Sequence, residues 1–523
     1  MEEHVLSAPA AGPGRKKPRA KKASEDTHSL LERADQLRRG LSQTIDGRHK
    51  STLGQFMTPA PVARFMAAMF PPGSSAGECR LLDAGAGLGA LTCAFLDRWR
   101  AGGFGFARVE ATACEVDDRL RDHLAASLSQ YADPARLAID VRGGDFILDA
   151  AAVFTDGRAR RTHTHAILNP PYRKLGAKSA HRLALRQAGI ETVNLYTAFV
   201  ALAVELMAPG GLVVAIIPRS FCNGTYHRPF REHLLARCAL RAVHLFHSRS
   251  QAFSDDEVLQ ENVIVLLERG GAQGPVAVTT STDDRFADLA AAEHPFERIV
   301  FPDDAQRFIH VPTSAQATEL EQAAGVQSSL ADIGVQVSTG PVVDFRLKEH
   351  LRAQPGPGSA PLLYPQHFAG RRVAWPGGGA KKPLAIEVNE ATRRWLMPAG
   401  FYCVVRRLSS KEEKRRVVAH GVRPGDFPPG TGLLGFENHV NVFHIQRGGL
   451  PEALAHGLAA YLNTTAVDEA FRRFSGHTQV NAGDLKAMRY PARDVLEAFG
   501  RWLIAYPDAT QEELDARFRD SCP

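Results

Sequence analysis

Cysteines are few in this sequence, and none of them is paired by spacing. The 523 residues contain seven, an odd number, and no two stand in a C-x-x-C arrangement. Closely spaced cysteine pairs are typical of disulfide frameworks and zinc knuckles. The sequence therefore predicts a reducing compartment and no structural metal.

Long apolar runs are missing as well. The chain opens Met1-Glu2-Glu3-His4 without the apolar core of a signal peptide, and no uncharged apolar run is long enough to cross a bilayer. The shares of hydrophobic (44%) and charged (23%) residues are those of a globular protein. We therefore expect a soluble, cytoplasmic protein with no membrane partner.

An excess of acidic residues is also absent. Lysine and arginine number 63 against 57 aspartate and glutamate residues, and the net charge of +6 mildly favours an anionic partner. The first segment, residues 1–27, contains the basic run 15–22, and a segment of this composition predicts a disordered basic tail. It would act either as a solubilising tail or as an arm that binds phosphate groups non-specifically.

From residue 28 to residue 268, short apolar runs alternate with helical stretches such as 195–207. Strands that alternate with helices form a mostly parallel sheet with helices on both faces. The pattern predicts a Rossmann-like α/β domain with seven strands. We place these strands at residues 80–84, 109–115, 137–141, 165–168, 211–217, 240–246 and 262–267.

The alternation stops after residue 268. Residues 269–310 show no clear pattern and are predicted to be a connecting segment. Residues 311–523 combine short strands, Gly/Pro clusters such as 354–358 and a helical stretch at 450–462. A segment of this size is typical of a whole domain, and its composition predicts an irregular α+β fold.

A glycine-rich turn follows the first predicted strand, in the run Asp83-Ala84-Gly85-Ala86-Gly87-Leu88-Gly89. Glycine lets the backbone turn sharply and approach a ligand closely, and such turns bind nucleoside ligands in sheets of this kind. We predict that Asp83, Gly85 and Gly87 bind a cofactor. Dinucleotide sites share this motif, so the turn alone does not identify the ligand.

Acidic and aromatic residues follow the next two predicted strands. Glu115 ends the second strand, where a carboxylate can bind ribose hydroxyl groups. Asp145 and Phe146 follow the third strand and offer an acceptor for an adenine amino group and an apolar face for its ring. In this order, the three residues predict a cofactor that contains adenosine.

A second motif, the tetrad Asn169-Pro170-Pro171-Tyr172, stands at the end of the fourth predicted strand. The two prolines stiffen the loop and fix two acceptors, the Pro170 carbonyl and the Asn169 side-chain oxygen. An aromatic amino group is a poor nucleophile, because its lone pair is delocalised. Two acceptors on its hydrogens would favour a pyramidal nitrogen that can attack a methyl group, while Tyr172 stacks on the ring.

An amino group inside a duplex is reached only when its base leaves the stack. The extruded base then needs a second aromatic side chain on its other face. The segment after the fifth predicted strand contains Phe221 and Tyr226. We predict that Tyr226 has this role, and the alternative is that it only packs against the fold.

The combined pattern resembles the adenine-N6 DNA methyltransferases of type II restriction–modification systems, in the class whose cofactor motif precedes the tetrad. Within it, the chain resembles the stand-alone enzymes of the BsuBI–PstI kind. The resemblance implies S-adenosyl-L-methionine as the cofactor, with Thr58 in the run 54–59 touching its carboxylate. It also implies double-stranded DNA as substrate, a partner restriction endonuclease on a separate chain, and a protein that acts as a monomer or a dimer.

The resemblance extends into residues 311–523, which it identifies as a target-recognition domain. Runs such as 337–340, 437–442 and 475–481 are similar to recognition-domain signatures of the family. Basic side chains there would contact phosphates and guanines. The predicted DNA-binding residues are Arg406, Arg407, Arg472 and Arg473, together with Lys411, Lys414, Arg415 and Arg416.

Other functions share parts of the pattern. Methyltransferases that act on RNA or on protein glutamine can use the same tetrad, although they are usually shorter. A DNA-specificity module without activity would not need an intact tetrad. A fused nuclease could use Glu412-Glu413-Lys414, but no upstream acidic residue on a strand accompanies this run.

Overall fold

The computed structural model describes twelve stretches of the chain. They are residues 29–44, 57–73, 77–131, 133–157, 161–247, 261–302, 304–312, 318–369, 372–377, 382–409, 413–474 and 479–522. The predicted basic tail, Lys411, Glu412, the run 54–56 and most of the run 475–481 lie outside the described residues.

The first half of the protein is built on one nine-stranded sheet with the order β3-β2-β1-β4-β5-β7-β6-β8-β9. Strands β1 to β5 are parallel to one another, and β7 runs antiparallel to β5 and β6. The predicted mostly parallel α/β sheet is confirmed. Its strands are β1 (Glu78–Ala84), β2 (Arg108–Cys114), β3 (Leu137–Arg142), β4 (His163–Leu168), β5 (Met207–Pro218), β6 (Cys238–Phe246), β7 (Asn262–Arg269), β8 (Val276–Ser281) and β9 (Ala290–His294).

The strand count of seven was too low, because β8 and β9 lie in the segment predicted to be a connection, residues 269–310. Strand β8 pairs in parallel with β6, and β9 pairs antiparallel with β8. Val276 and Val278 of β8 are buried, with a half-buried residue between them. Only one face of this short strand is apolar, which leaves a weak signal in the sequence.

Helices cover both faces of the sheet. Alternate residues of β5 face opposite cores, since Val213, Ala215 and Ile217 belong to one cluster and Val214 and Ile216 to the other. None of the helices in the described part of the chain has the length and apolar character that crossing a membrane requires. The helices up to residue 237 are α1 (Leu30–Thr44), α2 (Ala60–Ala68), α3 (Ala90–Arg100), α4 (Asp118–Ser129), α5 (Phe146–Thr155), α6 (Ala180–Gln187), α7 (Leu195–Leu206) and α8 (Arg228–Arg237).

The second half has the expected α+β character, with small sheets and a group of helices. A four-stranded sheet has the order β10-β20-β17-β18, a five-stranded sheet has the order β11-β15-β12-β19-β16, and β13 pairs with β14. The strands are β10 (Gln336–Thr339), β11 (Leu351–Arg352), β12 (Ser359–Leu363), β13 (Phe368–Ala369), β14 (Arg372–Val373), β15 (Ala385–Glu387), β16 (Met397–Pro398), β17 (Tyr402–Arg406), β18 (Ala419–Val422), β19 (Leu433–Phe436) and β20 (Val440–His444).

Two helices in this half, α12 (Glu452–Leu462) and α15 (Arg493–Ala505), cross with their backbones in contact. A Cβ atom on Gly457 would lie 1.8 Å from the carbonyl oxygen of Leu496, and one on Gly500 would lie 1.7 Å from that of Ala453. Only glycine permits this approach. The remaining helices are α9 (Phe296–Ile299), α10 (Glu319–Gln322), α11 (Glu390–Arg393), α12 (Glu452–Leu462), α13 (Thr465–Phe474), α14 (Ala482–Ala487), α15 (Arg493–Ala505) and α16 (Gln511–Ser521).

A buried ion pair lies where the two halves meet. Arg219, which follows β5, and Glu261, which precedes β7, are 2.7 Å apart, and each side chain is 1% exposed. The Arg219 guanidinium also donates to the backbone carbonyl of Arg473 in α13. The Arg473 side chain in turn pairs with Glu321 of α10. The end of the nine-stranded sheet is thereby joined to the second half through charged groups.

Replacing Arg219 with methionine should destabilise the protein by about 3–5 kcal/mol, because it removes the buried counter-charge of Glu261. The measurement is the free energy of unfolding in urea. Arg228→Met is the matched control, since Arg228 pairs with Glu232 and both side chains are half-exposed. Loss of this pair should lower the free energy of unfolding by no more than about 1 kcal/mol. Equal losses in the two variants would show that the buried pair has no special role.

Candidate active site

The two sequence motifs meet at one point of the sheet. Strands β1 and β4 are neighbours, and Leu81 and Leu82 pair with His165 and Ala166. The chain order reverses between these strands, since β2 and β3 lie on one side and β5 on the other. In open α/β sheets, such a switch point is where ligands bind. The glycine turn follows β1 and the tetrad follows β4, so both reach this crevice.

A cavity of about 240 Å³ occupies the crevice. Eight of the predicted site residues line it: Thr58, Gly85, Gly87, Glu115, Asp145, Phe146, Asn169 and Pro171. A Cβ atom on Gly85 would lie 3.9 Å from Cδ of Pro171, so the glycine turn and the tetrad nearly touch. The grouping of these residues, which lie far apart in the sequence, agrees with the predicted common site.

Glu115 is held in place by the glycine turn. Its carboxylate accepts N–H groups from Gly87 at 2.8 Å and from Asp117 at 2.9 Å. Gly85 and Gly87 have positive φ angles of 77° and 56°, which disfavour residues with a Cβ atom. Burial raises the pKa of Glu115. A fixed carboxylate on the cavity wall fits the predicted bonds to ribose hydroxyls.

Asp83 does not line the cavity, which corrects the prediction that it binds the ligand. Its side chain is fully buried and accepts a hydrogen bond from the Thr92 hydroxyl at 2.6 Å. Thr92 lies in α3, so Asp83 ties the end of β1 to the helix after the turn. Burial raises the pKa of Asp83 from 3.8 to about 7. The residue supports the turn from inside the protein.

Asp145 has two partners that share its carboxylate. One oxygen accepts the N–H groups of Ile147 and Leu148 and caps α5. The other lies 2.6 Å from Nε2 of His181, which is in α6 and also lines the cavity. A carboxylate oxygen can accept a second bond, so it can still serve an adenine amino group. Sequence reasoning missed His181, because no local pattern links two residues 36 positions apart.

An aromatic wall stands beside this carboxylate. The ring of Phe146 lies 5.1 Å from that of Phe199 in α7, and both rings line the cavity. Phe199 was not predicted, since it lies within the apolar face of a helix and has no distinct signal there. The pair gives one side of the cavity the apolar surface that a flat ring requires.

Asn169 has a fixed orientation at the end of β4. Its Nδ2 donates to the Thr58 hydroxyl at 2.9 Å, and the Tyr172 hydroxyl lies 3.2 Å from its Oδ1. The Tyr172 hydroxyl is also 3.3 Å from the Ile216 carbonyl. Burial raises the pKa of Tyr172, so the phenol keeps its proton. The amide oxygen of Asn169 is thereby directed as an acceptor beside the cavity, and Pro170 is buried behind it.

Tyr172 packs against Tyr196, whose hydroxyl belongs to a hydrogen-bonded cluster. Its ring lies 6.0 Å from that of Tyr196, edge to face. The Tyr196 hydroxyl is 3.2 Å from Nε2 of His227 and 3.1 Å from the Ser220 hydroxyl. Tyr226, next to His227, is 80% exposed. Its exposure leaves the predicted stacking role open, whereas Phe221 is buried in the core.

Arg416 is wrongly placed among the predicted DNA contacts. Its side chain is 0% exposed. The Nε atom donates to the Ser409 hydroxyl, and the backbone N–H bonds to Asp468. The sequence does not reveal that Arg416 is buried, because it stands in a run of charged residues and does not differ from them in residue type.

The other predicted DNA-binding arginines also have internal partners. Arg472 bonds to Asp468, Arg473 pairs with Glu321, and Arg473 lies at the junction described above. Arg406 pairs with Glu413, and Arg407 donates to the Asn438 carbonyl at 3.1 Å. Arg406 and Arg407 lie at the end of β17 and are partly exposed. Contacts of these arginines with DNA stay a prediction.

Comparison with known proteins gives close relatives over most of the chain. It is 46% identical over 497 residues to the type II methyltransferase M.BsuBI of Bacillus subtilis, covering 94% of this chain and 98% of that protein. It is 41% identical over 474 residues to the type II methyltransferase M.PstI of Providencia stuartii, covering 88% and 92%. The profile of the Eco57I restriction-modification methylase family matches residues 142–253.

A solved structure shares the fold. The chain superimposes on the protein of the DrdV–DNA complex, determined by cryo-electron microscopy, with a TM-score of 0.52 at 12% identity. The match covers 92% of this chain and 60% of that one. At this identity the likeness concerns the fold alone, and it extends over both halves of the chain.

The buried Asp83 carboxyl should make stability fall as the pH rises. Between pH 4 and 7 the unfolded chain loses this proton while the folded protein keeps it. Each unit by which the pH rises therefore lowers the free energy of unfolding. Asp83→Asn cannot ionise and should gain stability relative to the wild type by on the order of 2–4 kcal/mol across this window. Urea unfolding at several pH values measures the difference.

Asp118→Asn serves as the control for loss of one carboxylate, since the Asp118 side chain is 82% exposed. If Asp83→Asn and Asp118→Asn followed the same pH dependence, the burial of Asp83 would not explain the effect.

Proposed function

Because this chain belongs to the type II methyltransferases of restriction–modification systems, we propose that it transfers a methyl group from S-adenosyl-L-methionine to the N6 amino group of adenine in double-stranded DNA. The observation that carries this proposal is the position of the tetrad. Asn169 lines the same cavity as Glu115 and Asp145. One crevice therefore combines a nucleoside site with acceptors for an amino group.

The cavity fits the proposed cofactor at its nucleoside end. Glu115 offers carboxylate oxygens for ribose hydroxyls, Asp145 an acceptor for the adenine amino group, and Phe146 an apolar face. Gly87 has no atom within 4 Å of a Cβ position, so its backbone faces open space. When bound, S-adenosyl-L-methionine supplies an electrophilic methyl group on its sulfonium.

The protein contributes orientation and acceptors to the reaction. Asn169 Oδ1 and the Pro170 carbonyl would accept the two hydrogens of the target amino group, which favours a pyramidal nitrogen with an available lone pair. Thr58 fixes the Asn169 amide from the other side. No strong base is needed, because the neutral amine attacks first and then releases one proton to water. Holding the reacting groups in line supplies much of the rate.

The target base has to leave the duplex to reach Asn169. Tyr172 would stack on one face of the extruded ring, with its own position set by Tyr196. Tyr226 remains our proposal for the other face. A base that stacks between two aromatic rings is held by contacts that do not depend on its sequence context, so recognition requires other residues.

We assign sequence recognition to residues 311–523, with residues 28–268 and the added strands β8 and β9 as the catalytic part. Arg406 and Arg407 are the proposed phosphate or guanine contacts in the recognition part. A restriction endonuclease on a separate chain would cleave the unmodified site. A monomer can methylate one adenine at a time, so a dimer is not required. We propose that the protein acts on DNA in the cytoplasm.

Asn169→Ala should reduce methyl transfer at least about a hundredfold, the usual effect of removing one fixed polar contact from a transition state. DNA binding should persist, since the substitution removes no charge. Mass spectrometry of nucleosides from treated DNA measures the product and separates N6-methyladenine from N4-methylcytosine. Full activity in this variant would contradict the mechanism, and N4-methylcytosine as the product of the wild type would contradict adenine as the target.

Exchanging residues 311–523 for the matching region of the relative M.PstI should transfer that enzyme's target sequence to this chain. The physical reason is that base contacts specify sequence whereas the catalytic contacts do not. Sequencing of methylated DNA from cells that express the chimera gives the result. An unchanged target sequence in an active chimera would show that recognition lies elsewhere.

A further inference from the structure

Helix α1 forms a wall of the cavity that the sequence motifs do not include. Ala34 and Arg38 of this helix line the cavity together with Thr58 and Asn169. The Arg38 side chain is only 3% exposed. A buried cation that faces a ligand cavity has little access to water, so an anionic group of a ligand would be bound strongly there.

Asp35 fixes the position of Arg38. Its Oδ1 accepts from Nε of Arg38 at 2.7 Å and from the backbone N–H of Ala60 at 3.4 Å. Ala60 begins α2, two residues after Thr58, and Thr58 accepts from Asn169. Arg38 is therefore tied, through Asp35 and the start of α2, to the segment whose Thr58 contacts the tetrad. A guanidinium has five donors, so it can bond to Asp35 and to a second anion at the same time.

The charged side chains of the cavity wall are held by different elements. Glu115 and Asp145 follow β2 and β3, and the glycine turn holds Glu115. Arg38 lies in α1, and Asp35 ties it to the start of α2, two residues after Thr58. The proposed cofactor has an adenosine at one end and an amino acid at the other, and its only anionic group is the carboxylate of the amino acid. The cation is thus placed where that carboxylate would extend.

We propose that Arg38 binds the carboxylate of the methionine part of the cofactor, with Asp35 as the residue that positions it. The proposal rests on the assignment of S-adenosyl-L-methionine as cofactor. Guanidinium and carboxylate groups form paired, charge-assisted hydrogen bonds. The protein would then select the complete cofactor over adenosine derivatives that lack the amino acid. Arg173 also lines the cavity, but its side chain is exposed in the loop after the tetrad.

Titration calorimetry of the full chain with two ligands tests this proposal. S-adenosylhomocysteine carries the carboxylate, and 5′-methylthioadenosine lacks the amino acid. Arg38→Gln should weaken binding of S-adenosylhomocysteine about tenfold to a hundredfold and leave binding of methylthioadenosine within about twofold. Arg38→Lys, which keeps the charge but loses the planar fork, should give an intermediate loss.

Arg39→Gln is the matched control. Arg39 pairs with the same Asp35 carboxylate from the same helix, but its side chain is 68% exposed and does not line the cavity. This variant should bind both ligands as the wild type does. If Arg38→Gln does not fold, as judged by circular dichroism, Arg38→Lys decides the question with the same two ligands.

Three results would overturn the proposal. Equal weakening of both ligands in the Arg38 variants would indicate a general distortion of the cavity. Loss of selectivity in Arg173→Gln but not in Arg38→Gln would assign the carboxylate to the loop. If the wild-type protein bound neither ligand, the cofactor assignment itself would fail, and this inference with it. That last result is distinct because it appears before any substitution is made.

Discussion

The parallel pairing of β1 with β4 is the constraint on which the site depends. Strands β1, β2 and β3 follow one another toward one edge of the sheet, and the chain then returns to place β4 on the other side of β1. This return separates the loops after β1 and β4 and opens a crevice between them. The glycine turn and the tetrad each follow one of these strands, so their meeting is a consequence of strand order.

The residues around the crevice are held by contacts that converge from distant parts of the chain. Asp83 ties the glycine turn to α3, Thr58 orients Asn169, and His181 reaches Asp145 from α6. Each contact restricts a group that would otherwise lose conformational entropy on binding a ligand. These contacts hold the side chains of the site in fixed positions, which is what positioning and fixed dipoles require.

The junction between the halves links the second half of the chain to this site. Arg219 follows β5, at the same edge of the sheet as the tetrad, and donates to the Arg473 carbonyl. A buried pair such as Arg219 with Glu261 contributes little net stability compared with apolar packing, but it is costly to break. Its position at the end of two central strands favours a role in the geometry of the two halves.

Prediction from the sequence succeeded where a signal is local. The seven strands, the glycine turn and the tetrad each occupy a few consecutive residues, and their periodicity or composition is visible without tertiary structure. The apolar pattern of strands β8 and β9 is too short, and too confined to one side of the strand, to be recognised in the sequence. The burial of Asp83 and Arg416 could not be predicted either, because their residue types are usually exposed.

By itself, the sequence determined the fold class and eight of the residues that line the cavity, since strand order and loop motifs follow from the order of the apolar runs. Only the tertiary structure decided which side chains are buried and which of those distant in the sequence meet. It turned Asp83 inward, brought His181 to Asp145 across 36 residues, and placed Arg38 of α1 among the residues that line the cavity. The physical reason is that such contacts depend on how helices pack across the sheet, and helix packing depends on surfaces that no local pattern encodes.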